Sequence, residues 1–178
     1  MTLTVLKFIC FLPLSFLLTL GAWILAPIAP LFRTKDYRLP KPWLWWMMTP
    51  HTDLRGDPDH QKKWNGKSEY LQMVTWILRN PACNGQREWL GFTMKTGDVA
   101  HLYGDEDIGD NIGKSGTRLT TVTRDGKVKA FHYYVVKQYG HSKKCFRCQF
   151  GWKLWAHPTV TGEPCQITGL IQPIKSFG

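Results

Sequence analysis

The chain has 178 residues, 43% of them apolar and 20% charged, and a formal net charge of +10. With an uncharged N-terminal stretch set aside, the remainder is long enough for one compact domain and too short to suggest two. No internal repeat, low-complexity tract, P-loop, GxGxxG, GxSxG or HExxH is present, so the usual sequence signatures of nucleotide binding, serine hydrolysis and zinc proteolysis are missing.

From Phe8 to Phe32 no residue is charged (FICFLPLSFLLTLGAWILAPIAPLF). A bilayer core needs about 20 apolar residues in a helix, so this run predicts a transmembrane helix. Pro13 is expected to bend it, and Pro27 and Pro30 to end it. A cleaved signal peptide competes, with Lys7 as the n-region, Phe8 to Leu20 as the h-region, and small residues at Gly21, Ala22 and Ala26. The length of the run, the single n-region charge and Pro27 directly after Ala26 favour an uncleaved anchor. Arg33, Lys35, Arg38 and Lys41 follow the segment against Asp36 alone, and Lys7 precedes it. The positive-inside rule then places the C-terminal side in the cytoplasm. A re-entrant hairpin with both ends inside is a second option raised by the prolines.

Charge and cysteine placement add two constraints. Residues 33–110 are neutral, with eleven basic and eleven acidic residues, whereas 111–178 carry eleven Lys/Arg against Asp125 and Glu163. The basic last third implies an anionic partner: phospholipid headgroups, nucleic acid or an acidic protein. Cys10 lies in the apolar segment. Cys83, Cys145, Cys148 and Cys165 read as free thiols or metal ligands in the cytoplasm, and as disulfides on the far side.

The expected fold is α+β: an N-terminal transmembrane helix, then a small domain with one helix and an antiparallel β-meander. The boundaries are an anchor over 1–32, a Trp/Pro-rich interfacial linker over 33–50 and a single domain over 51–178. In the linker, Trp43, Trp45 and Trp46 beside Arg38 and Lys41 read either as an interfacial belt or as core. Residues 51–68 read as a polar loop. A helix is predicted over Glu69–Arg79, capped by Ser68 and stopped by Asn80-Pro81, with Tyr70, Met73, Val74, Ile77 and Leu78 on its apolar face. Residues 89–103 are expected to form a short strand pair and 104–116 a loop. Asp125-Gly126 predicts a hairpin between 117–124 and 127–139, Gly140-His141-Ser142 the next turn, and 165–171 a further strand. Between these, 144–155 alternates, with Phe146, Cys148, Phe150, Trp152 and Leu154 on the core face and Cys145, Arg147, Gln149, Gly151 and Lys153 opposite.

Three groups of residues bear on chemistry. Cys145 and Cys148 have zinc spacing, which Cys83 and Cys165 would complete. Against zinc, residues three apart in a strand point to opposite faces, and neither glycine nor proline turns the chain between them. His51, Asp53, Asp57, Asp59 and His60 are metal-capable and would suit a metal-dependent hydrolase centred on 51–60, although Asp and His in such loops commonly cap or solvate. Asp105, Glu106, Asp107 and Asp110 lack EF-hand spacing and read as a solvated acidic loop. Lys127, Lys129, Lys137, Lys143, Lys144, Arg147 and Lys153, interleaved with Phe131, Tyr133, Tyr139 and Trp155, suit an anionic membrane surface, single-stranded nucleic acid, or a solvated sheet face. Beside the anchor, lipid or the solvated face ranks above nucleic acid.

LPKPWLWWMMTPHTDLRGD at 39–57, WILRNPACNGQREWLGF at 76–92 and FRCQFGWKLW at 146–155 together resemble a family of small uncharacterised membrane-associated proteins encoded by tailed bacteriophages. Thr49, Pro50, Asp53, Gly56 and Asp57 match its TPD-like loop, with His51 where the family often has Asp, and Cys83 stands where tyrosine is often found. The resemblance implies a phage origin and no established activity, and it carries over no catalytic residue. The resulting expectation is a non-enzymatic, membrane-anchored accessory protein without a cofactor, at the inner membrane of a bacterial host, with its C-terminal domain cytoplasmic. Its expected partners are membrane lipid and a host membrane protein. The alternatives are the hydrolase centred on 51–60 and a membrane-tethered nucleic-acid binder.

Overall fold

A computed structural model of the chain describes residues 2–109, 113–154 and 162–177. The class is α+β: an apolar N-terminal helix, α1 (Thr2–Leu25), is followed by short helices and an antiparallel sheet. Contacts divide the chain into two units. One unit comprises Met1–Leu12 with Gly91–Gly178, and the other is Pro13–Leu90. The apolar helix thus belongs partly to each.

In the 13–90 unit, helices α2 (Pro58–Trp64), α3 (Glu69–Arg79) and α4 (Cys83–Glu88) accompany the second half of α1. Ser15, Thr19, Ala22 and Ala26 recur at helical spacing, and small side chains allow close backbone approach. Ala22 and Ala26 are fully buried with Leu39, Met47, Leu54, Met73, Ile77 and Ala82. The Gln86 amide of α4 donates to the hydroxyls of Thr19 (2.9 Å) and Ser15 (3.1 Å). The 3-10 turn Ala29–Phe32 follows, as the prolines require.

Helix α3 has the predicted limits, and the Ser68 hydroxyl accepts from the Leu71 N–H at 3.4 Å. Its buried face is Met73, Val74, Trp76 and Ile77, whereas Tyr70 and Leu78 are exposed. The rotation follows from Trp76, whose ring lies 5.1 Å from the His60 ring and whose Nε1 donates to Thr49. Helix α2 lies in the stretch expected to be a loop. Asp57 caps it by accepting from the His60 N–H at 2.8 Å, and Pro58 occupies its first turn.

Gly56 precedes α2 at φ +86°, where an added Cβ would sit 2.6 Å from the Trp76 ring of α3 and 2.9 Å from the His60 ring of α2. Gly56→Ala is therefore expected to cost roughly 1–3 kcal/mol for overpacking, on top of about 1 kcal/mol for the left-handed backbone. Gly66, at φ +70° with nothing within 4 Å, is the control. Gly66→Ala should show the backbone cost alone in urea unfolding, and equal losses at the two sites would contradict the packing described.

In the other unit, strands β2 (Val99–Gly104), β3 (Gly116–Arg124), β4 (Lys127–Gln138), β5 (Lys144–Trp152) and β7 (Ile167–Ser176) form one antiparallel sheet in that order. The β3–β4 hairpin turns at Asp125-Gly126, with φ +52° and +68°, as the dipeptide predicts. β1 (Phe92–Thr93) pairs with β6 (Pro164–Cys165), and β2 with β3, so the strand pair expected within 89–103 does not form. The first turns of α1 pack on the sheet. Phe8 contacts the rings of Phe131 (5.3 Å) and Trp152 (5.9 Å), and the Thr4 hydroxyl donates to the Val128 carbonyl at 2.5 Å.

The alternation read along β5 does not describe its burial. Cys145, Arg147, Cys148, Gln149, Gly151 and Trp152 are all buried, and Phe146 and Phe150 are half-buried. β5 is an interior strand between β4 and β7, with packing on both faces, so burial loses its period of two. Trp155 and Asp110 lie outside the described residues.

Candidate anion-binding surface

The metal-capable residues of 51–60 are placed by local structure. Asp53 accepts from the Arg55 guanidinium at 2.6 Å and the Arg55 N–H at 2.8 Å, Asp57 caps α2, and the buried His60 pairs its Nε2 with the Gln72 carbonyl at 3.0 Å. His51, at φ +62°, lies beside Arg87. Asp53 and Asp57 are thereby occupied in different turns. Cys145 and Cys148 belong to opposite faces of β5, and Cys83, Cys145, Cys148 and Cys165 are each buried. Among the described residues no three His, Cys, Asp or Glu side chains come together as a metal-binding group. In the acidic loop, Asp105 and Asp107 close on the Lys114 ammonium at 2.8 and 3.0 Å.

The basic residues of the meander separate into three places. Lys127 and Lys129 stand at the β3–β4 hairpin, and Lys137, Lys143 and Lys144 at the β4–β5 hairpin. Ten residues along β4 put these groups about 33 Å apart. Arg147 is buried, donating from Nε to Gln172 at 2.9 Å and from Nη1 to the Tyr134 hydroxyl at 3.3 Å, so it is not part of an exposed face. Lys153 is half-buried and donates to Gln166 at 3.1 Å.

Lys127 and Lys129 instead line a cleft of about 460 Å³ with Lys7, Lys95 and Arg124, over Leu3, Thr4, Phe92 and Val128. Arg124 is held rigidly. Its Nε and Nη2 donate to the Asp98 carboxylate at 2.5 and 2.6 Å, and Nη2 also donates to the Thr93 carbonyl. The Arg124 hydrogen bond, followed by the Lys95 N–H and nearby cations, lowers the Asp98 pKa to about 2 despite its burial. The Lys7 ammonium lies over the rings of Phe11 (5.3 Å) and Trp152 (5.9 Å). Sequence reading missed Lys7, Lys95 and Arg124 because the segments bearing them are distant along the chain. The one local signal was a lysine close to the start of an otherwise uncharged helix.

The full chain, residues 1–178, matches the Family of unknown function (DUF7338). The protein belongs to that family. No curated protein and no solved structure matches it.

A second polar feature of this DUF7338 member is interior. On one sheet face β4 carries the fully buried His132 and Tyr134, with rings stacked at 5.8 Å, and β3 carries Arg118 over Tyr134 at 5.6 Å. His132 Nδ1 lies 3.1 Å from the Leu154 carbonyl, which only accepts, so Nδ1 bears the proton. Burial lowers the His132 pKa to about 4 from near 6.5, and the Leu154 hydrogen bond opposes the shift. The imidazole is neutral in the fold and becomes charged on unfolding below its ordinary pKa. Its contribution is full above about pH 6.5 and falls as pH drops towards 4, by roughly 3 kcal/mol across that window. Denaturation series at both pH values should show this loss, and His132→Gln should remove that part of the slope.

Proposed function

We propose that the protein is a non-enzymatic accessory protein, encoded by a tailed bacteriophage, that is anchored at the host inner membrane by α1 lying along the bilayer surface. One observation carries this reading: α1 has apolar residues exposed along its length, while a different set of its residues is packed against the protein. Leu3, Leu6, Ile9, Phe16, Leu17 and Ile24 are each at least half exposed. Thr4, Phe8, Ser15 and Ala22 are buried. A surface helix normally needs a polar face towards water; here protein takes that place.

Chain connectivity favours this arrangement over a crossing helix, although α1 is long and apolar enough to cross. A crossing helix would set Thr4 and Leu25 on opposite sides of the bilayer. Thr4 and Phe8 pack on β4 and β5, so the sheet would share the side of the N-terminus. The chain leaving Leu25 would then have to recross before Val99, and among the described residues no other helix is long and apolar enough. Gln86, bonded to Ser15 and Thr19, would also sit near mid-membrane, where a polar side chain is costly. The burial of Phe8, Ala22 and Ala26 argues against cleavage, which would remove part of each core. The phage origin rests on the resemblance of 39–57, 76–92 and 146–155, and the cytoplasmic side on Arg33, Lys35, Arg38 and Lys41, which suit an anionic leaflet.

Membrane flotation followed by carbonate extraction tests the anchor. The intact chain should float and resist extraction. A soluble intact chain, or a mature form beginning near Pro27, would overturn the reading.

A further inference from the structure

We propose that the cleft beside the start of α1 seats the phosphate of an anionic glycerophospholipid, with Lys95, Lys127 and Lys129 supplying the exchangeable cations and Lys7 and Arg124 the fixed ones. This rests on the membrane reading above and adds a defined lipid site to it. Five cations from the helix start, the 91–98 segment and the β3–β4 hairpin line one cleft. The nearby carboxylates are Asp98, already bonded to Arg124, and the exposed Asp125 in the hairpin turn. The first N–H groups of a helix as long as α1 add positive potential at the same end.

The apolar lining selects among phosphate-bearing partners. Leu3 borders the cleft and is 81% exposed, and Leu6 is exposed one turn further along α1. Cations beside exposed aliphatic side chains match a headgroup joined to acyl chains, whereas a free phosphate ester has no use for the leucines. Single-stranded nucleic acid needs accessible rings for base stacking. The cleft's one aromatic residue, Phe92, is 7% exposed and packed 6.4 Å from Trp152.

The test uses the purified full chain in neutral detergent, presented to phosphatidylcholine vesicles with and without one part in four phosphatidylglycerol. Two variants of equal charge loss are compared: Lys95→Gln/Lys127→Gln/Lys129→Gln at the cleft, and Lys137→Gln/Lys143→Gln/Lys144→Gln at the opposite hairpin. Unchanged circular dichroism confirms that both fold. The cleft variant should lose about tenfold or more of the phosphatidylglycerol-dependent gain at low salt, and the distal variant much less. Equal losses would overturn the cleft while leaving the anchor standing. Failure of the wild type to bind either vesicle would instead overturn the anchor. Displacement by sn-glycerol 3-phosphate as effective as displacement by phosphatidylglycerol would reassign the cleft to a soluble phosphate ester. Tighter capture of a single-stranded oligonucleotide than of the anionic vesicles would reassign it to nucleic acid.

Discussion

Trp152→Ala is expected to destabilise the unit built on the five-stranded sheet by about 3–5 kcal/mol, the range for a large aromatic removed from a packed core. Trp152 has no exposed surface. Its ring is approached by Phe8 at 5.9 Å, Phe131 at 6.0 Å and Phe92 at 6.4 Å, three residues from α1, β4 and β1. Removing it opens a cavity and also frees Phe8 and Lys7, the residues that hold the start of α1 on the sheet. Urea unfolding followed by fluorescence and circular dichroism measures the loss. The residues at the start of α1 should become more accessible to protease in the same variant. A cost below about 1 kcal/mol would contradict the packing of Trp152 against Phe8, Phe131 and Phe92.

Gly151→Ala is expected to destabilise the sheet at least as severely. Gly151 lies opposite His132 in the β4–β5 ladder at φ +111°, a conformation that side-chain-bearing residues avoid. An added Cβ would land on the Phe131 carbonyl oxygen, a backbone atom that cannot move without disturbing β4. The combined cost should exceed about 4 kcal/mol, the level reached only by gross steric or packing faults. The variant should accumulate in the insoluble fraction or unfold well below the wild-type midpoint. Gly126→Ala is the contrast: at φ +68° with nothing within 4 Å, it carries backbone strain without a clash. A soluble Gly151→Ala protein with a wild-type midpoint would contradict the strand register.

Features set by neighbours in sequence were legible, and those set by distant neighbours were not. Ser68 and Asn80-Pro81 bound α3, and Asp125-Gly126 forms the hairpin, because caps and two-residue turns are decided within a few residues. The Asp57-Pro58 start of α2 was also written locally, but the polar composition around it suggested a loop. Trp76 joined the buried face because Gly56 and His60 meet it from outside α3. Along β5 the error had a different origin. Alternation identifies a strand, but whether one face or both is covered depends on neighbours elsewhere in the chain. Cys145→Ser buries a hydroxyl much as Cys148→Ser does, without any need for zinc. Of the seven basic residues read as one surface, five stand at two hairpins, Arg147 is buried and Lys153 is half-buried. The cleft instead draws on residues 7, 95, 124, 127 and 129, which only the tertiary fold assembles.

The most direct test of the account is a depth profile of α1 in bilayers. Single cysteines placed in turn from Leu3 to Leu25 in a Cys10→Ser background are spin-labelled, and their immersion is measured by oxygen and nickel accessibility. A helix lying along the surface predicts immersion that oscillates with a period of about 3.6 residues, deepest at positions such as Leu6, Ile9, Leu17 and Ile24 and shallowest near Thr4, Phe8, Ser15 and Ala22. A single broad maximum centred between Phe11 and Ser15, falling smoothly to both ends, would show that the helix crosses the membrane.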